Sequence, residues 1–94
     1  LLLGIKANYS YAFLEYAKLL KAGQLFNRNI DLSYKYFELA SKELPLEGFF
    51  GMLLIDEEKH DIKKANEDYQ RALDLGINLP GVVRWAKTSK TELV

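Results

Sequence analysis

The sequence predicts an all-α fold of about five helices, arranged as antiparallel pairs stacked into an α-solenoid. Three observations carry this expectation. Apolar and small residues recur at the 3.6-residue period in the longer segments, and residues that start or end helices punctuate those runs. No segment alternates with a period of two for long enough to argue for a strand.

The first helix is expected over about 8–22, with Gly23 closing it in the left-handed conformation. The second is expected over about 30–43. Ile30, Ser33, Phe37, Ala40 and Leu44 form one stripe there, and Asn29 stands ahead as an N-cap whose side chain accepts an orphan backbone N–H. The third is expected over about 46–55, with Pro45 in the first turn, where a missing N–H costs nothing. The fourth, about 62–75, has Asp61 as its N-cap, the stripe Ile62, Ala65, Tyr69, Ala72 and Leu73, and Gly76 at its end. The fifth, about 80–90, opens on Pro80. "GQLFNR" and "DEEKH" read as loops within the pairs.

The chain also repeats itself. At an offset of 32, Asn29 meets Asp61, Ile30 meets Ile62, Ser33 meets Ala65, Phe37 meets Tyr69 and Ala40 meets Ala72. "EYAKLL" meets "FFGMLL" at an offset of 34, and "LP" at 44–45 recurs at 79–80. Ala17, Gly51 and Ala86 hold equivalent mid-helix places, as do Ala40 and Ala72 in the second helices. Glycine inside a helix costs roughly 1 kcal/mol against alanine. Gly48 and Gly51 within one short helix therefore point to close helix crossings, as in a stacked helical array. The repeat units are about 8–43, 45–76 and a partial 80–94, so two full units and the start of a third make one domain, 1–94.

Composition narrows the function. The 94 residues balance 13 basic against 13 acidic side chains, which disfavours a nucleic-acid binder or a polybasic membrane surface. No cysteine is present, so a disulfide framework, a thiolate zinc site and a cysteine nucleophile are excluded, in keeping with a reducing, cytoplasmic setting. The chain opens Leu1-Leu2-Leu3-Gly4, an apolar tip too short for a signal peptide or a membrane span, and is expected to be part of a longer repeat protein. Such a part carries no targeting information.

These residues resemble Sel-one-like repeats, a branch of the tetratricopeptide superfamily with a motif close to A-x4-G-x2-Y-x2-G-x-G-V-x2-D-x2-K-A-x2-W-Y-x2-A. Residues 12–40 follow it without a gap: Ala12, Ala17, Leu20, Gly23, Phe26, Asn29, Ser33, Tyr36-Phe37 and Ala40 take successive slots. In the second unit Gly51 matches and "DIKKA" (61–65) reproduces D-x2-K-A, followed by Tyr69 and Ala72. A third unit begins at Pro80, with Trp85-Ala86 in the leucine-glycine slots. The chain departs from the pattern at Leu25, where a loop glycine is lost, and its second loop is two residues short.

The resemblance implies a non-catalytic scaffold that takes a protein or peptide segment on a concave face lined by the first helix of each pair. Carried onto this chain, the exposed positions of that face are Tyr11, Leu14, Glu15, Lys18 and Lys21, then Phe49, Met52 and Asp56, then Arg84 and Lys87. Apolar anchors beside cations would suit an apolar, acidic segment. The alternative for Leu14, Phe49 and Met52 is packing against a neighbouring repeat.

Two other functions stay open: an RNA-processing helical array of the half-tetratricopeptide or pentatricopeptide kind, and the helical part of a larger enzyme. No catalytic residue, cofactor site or metal site is expected in this chain. His60 lies alone in an acidic loop without further ligands to close a metal site. Ser10, Ser33, Ser41 and Ser89 lack a nucleophile-elbow context, and no phosphate-cradling glycine loop occurs. Asn8-Tyr9-Ser10 matches a glycosylation sequon by pattern alone, and the final "TELV" has meaning as a ligand only if it is a true terminus. The exposed ends of a repeat array also offer a surface for self-association. Of the aromatics in "NIDLSYKYFELA", Tyr34 alone has neither a repeat counterpart nor a motif slot.

Overall fold

The computed structural model describes residues 2–23 and 27–92, with side chains for residues 9–23 and 27–86. Five helices follow one another: α1 (Leu2–Ala22), α2 (Ile30–Ala40), α3 (Pro45–Glu58), α4 (Ile62–Asp74) and α5 (Pro80–Glu92). The described residues contain no strand, so the chain is all-α as its periodicity requires.

The helix boundaries rest on local chemistry. The Asn29 side chain accepts the N–H of Leu32 at 3.0 Å, and Asp61 accepts that of Lys64 at 3.1 Å, each satisfying an orphan donor of the first turn. Gly23 and Gly76 take φ of +70° and +73° just past α1 and α4, where a side chain would strain the backbone. The Ser41 hydroxyl donates to the Glu38 carbonyl at 2.6 Å and stops α2 at Ala40, short of the expected residue 43. At the other end of the chain α1 begins at Leu2, a turn and a half before the expected residue 8.

The larger difference is at the end of α3, which takes in Asp56, Glu57 and Glu58. Three carboxylates at the negative end of a helix dipole read as loop in sequence. In the fold each has its own outlet. Asp56 turns into the interior, Glu57 accepts the Tyr69 hydroxyl at 2.5 Å, and Glu58 pairs with Arg28 and Lys21.

Past α3 the chain turns at His60, the one described non-glycine residue with positive φ, +55°. The His60 N–H donates to the Glu57 carbonyl and the Asp61 N–H to the Asp56 carbonyl, each at 3.1 Å. The same paired bonds recur at Gly76 and Ile77, at 3.0 and 2.9 Å. His60 therefore occupies a glycine's position. His60→Gly is expected to stabilise the fold by about 1 kcal/mol. A rise in Tm of roughly 4–8 °C would be the sign of it in a thermal melt.

Each helix packs on the next in chain order, and α1 also touches α3. The buried apolar cluster joins Leu14 and Ala17 of α1, Phe37 and Ala40 of α2, Phe49, Met52, Leu53 and Ile55 of α3, and Ala72, Ile77 and Val82 beyond. Ser33, Phe37 and Ala40 are buried as the α2 stripe requires, with Ile30 half-buried. The small residues mark the crossings. The Ser33 hydroxyl donates to the Ala17 carbonyl at 2.7 Å, both residues fully buried. A Cβ on Gly51 would stand 2.3 Å from the Phe37 ring, and one on Gly48 2.5 Å from the Ser41 Cα. Tyr36 fills the gap to α1 edge-on against Tyr16, with ring centroids 4.8 Å apart, and Tyr69 stacks on Trp85 at 5.5 Å.

Candidate interaction groove

Along α3, Glu47, Phe50, Leu54 and Glu57 fall at i, i+3, i+7 and i+10, one stripe of the helix. All four are exposed, and Phe50 and Leu54 leave 55% and 38% of their surface to solvent. On one side of this stripe lies a cleft of about 420 Å³ against α1, whose walls are Leu14, Lys18, Lys21 and Ala22 opposite Glu47, Phe50 and Leu54. Phe37 and Gly51 form its floor. The missing side chain of Gly51 thus does two things: it admits the Phe37 ring and leaves the cleft its depth. On the other side a second cleft of about 260 Å³ opens towards α5, bounded by Phe50, Leu54 and Glu57, by Leu79 and Pro80, and by Tyr69 and Arg84. Phe50 and Leu54 are the shared ridge between two mostly apolar clefts.

Charge is distributed unevenly around them. The α1 wall carries Lys18, 3.3 Å from Glu15, and Lys21, 4.0 Å from Glu58. The first pair is exposed and the second, with Lys21 half-buried, is at the limit of an ion pair's reach, so each holds its lysine weakly. Across the first cleft stands Glu47. In the second cleft the Tyr69 hydroxyl is spent on Glu57, and burial together with that bond pushes its pKa up to about 12, so it stays a neutral donor.

The ten residues assigned to the concave face divide. Lys18, Lys21 and Arg84 line the clefts, and Glu15 stands beside them through Lys18. Tyr11 is exposed on α1 but outside both clefts. Lys87 lies outside the residues whose side chains are described. Leu14, Phe49, Met52 and Asp56 are buried, so they do not form an open face; Leu14 keeps an edge on the first cleft and the other three are interior. Leu14, Phe49 and Met52 belong to the buried apolar cluster.

The open positions of α3 are instead Glu47, Phe50, Leu54 and Glu57. α3 packs against both α2 and α4, so two adjacent stripes are covered and the exposed one is displaced by a residue. Because α3 is apolar nearly all round, from Phe49 to Ile55, periodicity did not single out its free face. The two glycines could have done so, since Gly48 and Gly51 face α2 and the groove stripe runs beside them.

Reactive groups elsewhere are absorbed by structure. Ser33 and Ser41 donate to backbone carbonyls, and His60 serves a turn. Ser89, Phe26 and Asn8 fall outside the described side chains, as does the "TELV" end. Among the described residues no group of three or more His, Cys, Asp or Glu could hold a metal ion, and no helix is long and apolar enough to cross a membrane. Comparisons of the chain with protein-family models, with curated proteins and with solved structures find no match.

Proposed function

We propose that this chain is a non-catalytic scaffold, a short Sel-one-like array of antiparallel helix pairs that holds a segment of another protein along α3. The observation that carries this reading is the pair of adjoining apolar clefts sharing the Phe50–Leu54 ridge. Adjoining apolar clefts with a few charged groups at their rim are the ordinary form of a binding site. A backbone 45 × 34 × 16 Å in extent fits helices stacked in two layers, as the array requires. The partner segment would place bulky apolar side chains on either side of the ridge, with an acidic residue near Lys18 and Lys21.

A random-peptide display selection on the wild-type chain, followed by binding measurements on variants, tests this. Leu54→Asp is expected to weaken selected peptides at least tenfold, since it sets a charge on the ridge between the two clefts, while helicity by circular dichroism stays unchanged. Ile62→Asp, on α4 and 75% exposed, is expected to bind as wild type. Selected peptides that bind Leu54→Asp undiminished would move the site off this face. Binding of single-stranded RNA that falls with salt would favour the RNA-processing array instead.

A further inference from the structure

Asp56 and Asp68 meet in the interior between α3 and α4. They are 2% and 0% exposed; Tyr34, whose hydroxyl bonds Asp68, lines one recess with Asp56, and a hydrogen bond between the two carboxyls is among the causes that raise the Asp56 pKa. Two ionised carboxylates are disfavoured in such a place, because burial penalises each charge and the two charges repel; one of them keeps a proton. The surroundings decide which. Asp68 is furnished with donors: its Oδ2 accepts the Tyr34 hydroxyl at 2.6 Å and its Oδ1 the Arg71 guanidinium at 3.3 Å. Asp56 has a buried Oδ2 with no hydrogen-bond partner among the described residues. A carboxyl with an unmatched oxygen beside an acceptor carboxylate is satisfied by one proton, which makes Asp56 the donor and Asp68 the acceptor.

The other groups around the pair leave that balance in place. Asp31, Tyr34 and Glu38 face it from α2, and Glu57, Lys59 and His60 stand at the end of α3. Asp61, Lys64, Tyr69 and Arg71 come from α4 and its cap. Burial, then the bond to Asp68 and its charge, hold the Asp56 pKa up to about 8 against the lowering pull of Lys64. Tyr34, raised by burial and by Asp68, remains a donor throughout.

We propose that the proton shared by Asp56 and Asp68 is a structural ligand of this fold, closing the junction of α2, α3 and α4 while it is held and loosening it when it leaves. The topology gives that proton leverage. The backbones of α2 and α4 do not pack on each other; Tyr34 to Asp68, and Arg71 to Glu38 at 3.1 Å, are the bonds that span them. Ionising Asp56 drives Asp68 away from α3 and works against both spans.

The direction of the pH dependence follows. The unfolded Asp56 titrates near its ordinary 3.8 and the folded one near 8, so between these values the folded chain holds one proton more than the unfolded chain. Stability therefore falls as pH rises through that window and levels off above it.

The test is thermal unfolding of the chain from about pH 5 to about pH 9, beside Asp56→Asn, whose amide donates to Asp68 without titrating. The wild-type Tm is expected to fall steadily up to about pH 8, and the variant to lose that fall. A wild-type Tm that is level or rising over this range, or a variant that keeps the same fall, would overturn the proposal. Should Asp56→Asn not fold, carbon-13 NMR of the wild-type aspartate carboxyls decides. One carboxyl titrating between about pH 7 and pH 9 sustains the shared proton, and titration of all of them below about pH 5 refutes it.

Discussion

Replacing Gly51 by leucine is expected to cost about 3 kcal/mol of stability, the upper part of the range for overpacking a filled interior. Even the first added carbon would stand 2.3 Å from the Phe37 ring, and that ring is itself packed in the central cluster. The remaining carbons of leucine would push α3 away from α2 or displace Phe37 into the cleft above it. A loss of this size lowers Tm by roughly 12–24 °C in a domain of this length. Gly81→Ala is the control. Its nearest neighbour, the Tyr69 hydroxyl, would lie 3.6 Å from the new carbon, an ordinary contact, so no loss is expected. If Gly51→Leu melts within about a degree of the parent, the close α2–α3 crossing is wrong.

The second large effect is expected at Asp68. Asp68→Ala removes the acceptor used by the Tyr34 hydroxyl and Arg71, and leaves Asp56 facing a methyl group. A buried donor without an acceptor costs about 1–3 kcal/mol, and the lost charged bond adds to it. Relief of the carboxylate pair offsets part of this, so a net loss of about 2–3 kcal/mol is expected, read as a lower urea midpoint at unchanged slope. Asp68→Asn keeps an acceptor oxygen for Tyr34 and should lose less than half as much. An alanine variant as stable as the parent would show that the spans between α2 and α4 do not hold the fold.

Much of the helix framework is legible in the chain because it is locally encoded. Asn29 and Asp61 cap the turns immediately after them, Gly23 and Gly76 take the left-handed positions they were assigned, and the Ser33–Phe37–Ala40 stripe is buried as its spacing demands. The glycines of α3 likewise announce close contact before the contacting partners, Ser41 and Phe37, are known. What resists reading is set by tertiary neighbours. His60 carries no local mark of a left-handed residue, and the acidic run before it hides the last turn of α3. Asp56 and Asp68 look like solvated helix charges, since no rule of spacing brings two acids twelve residues apart into one buried place. Tyr34, the aromatic without a slot, is explained by that same contact, as the hydroxyl that donates to Asp68. On the groove, the displacement from Phe49 and Met52 to Phe50 and Leu54 reflects a helix covered on two sides, which a single apolar stripe cannot describe.

The central claim is that a partner segment lies along Glu47, Phe50, Leu54 and Glu57. Chemical-shift mapping of the backbone amides, during titration of the isotope-labelled chain with a display-selected peptide, tests it most directly. The expected result is that the amides of Lys18, Lys21, Phe50, Gly51, Leu54 and Arg84 move, while those of the exposed Lys35, Glu67 and Gln70 on α2 and α4 stay in place. Shifts concentrated on Lys35, Glu67 and Gln70, with the α3 stripe unmoved, would contradict it.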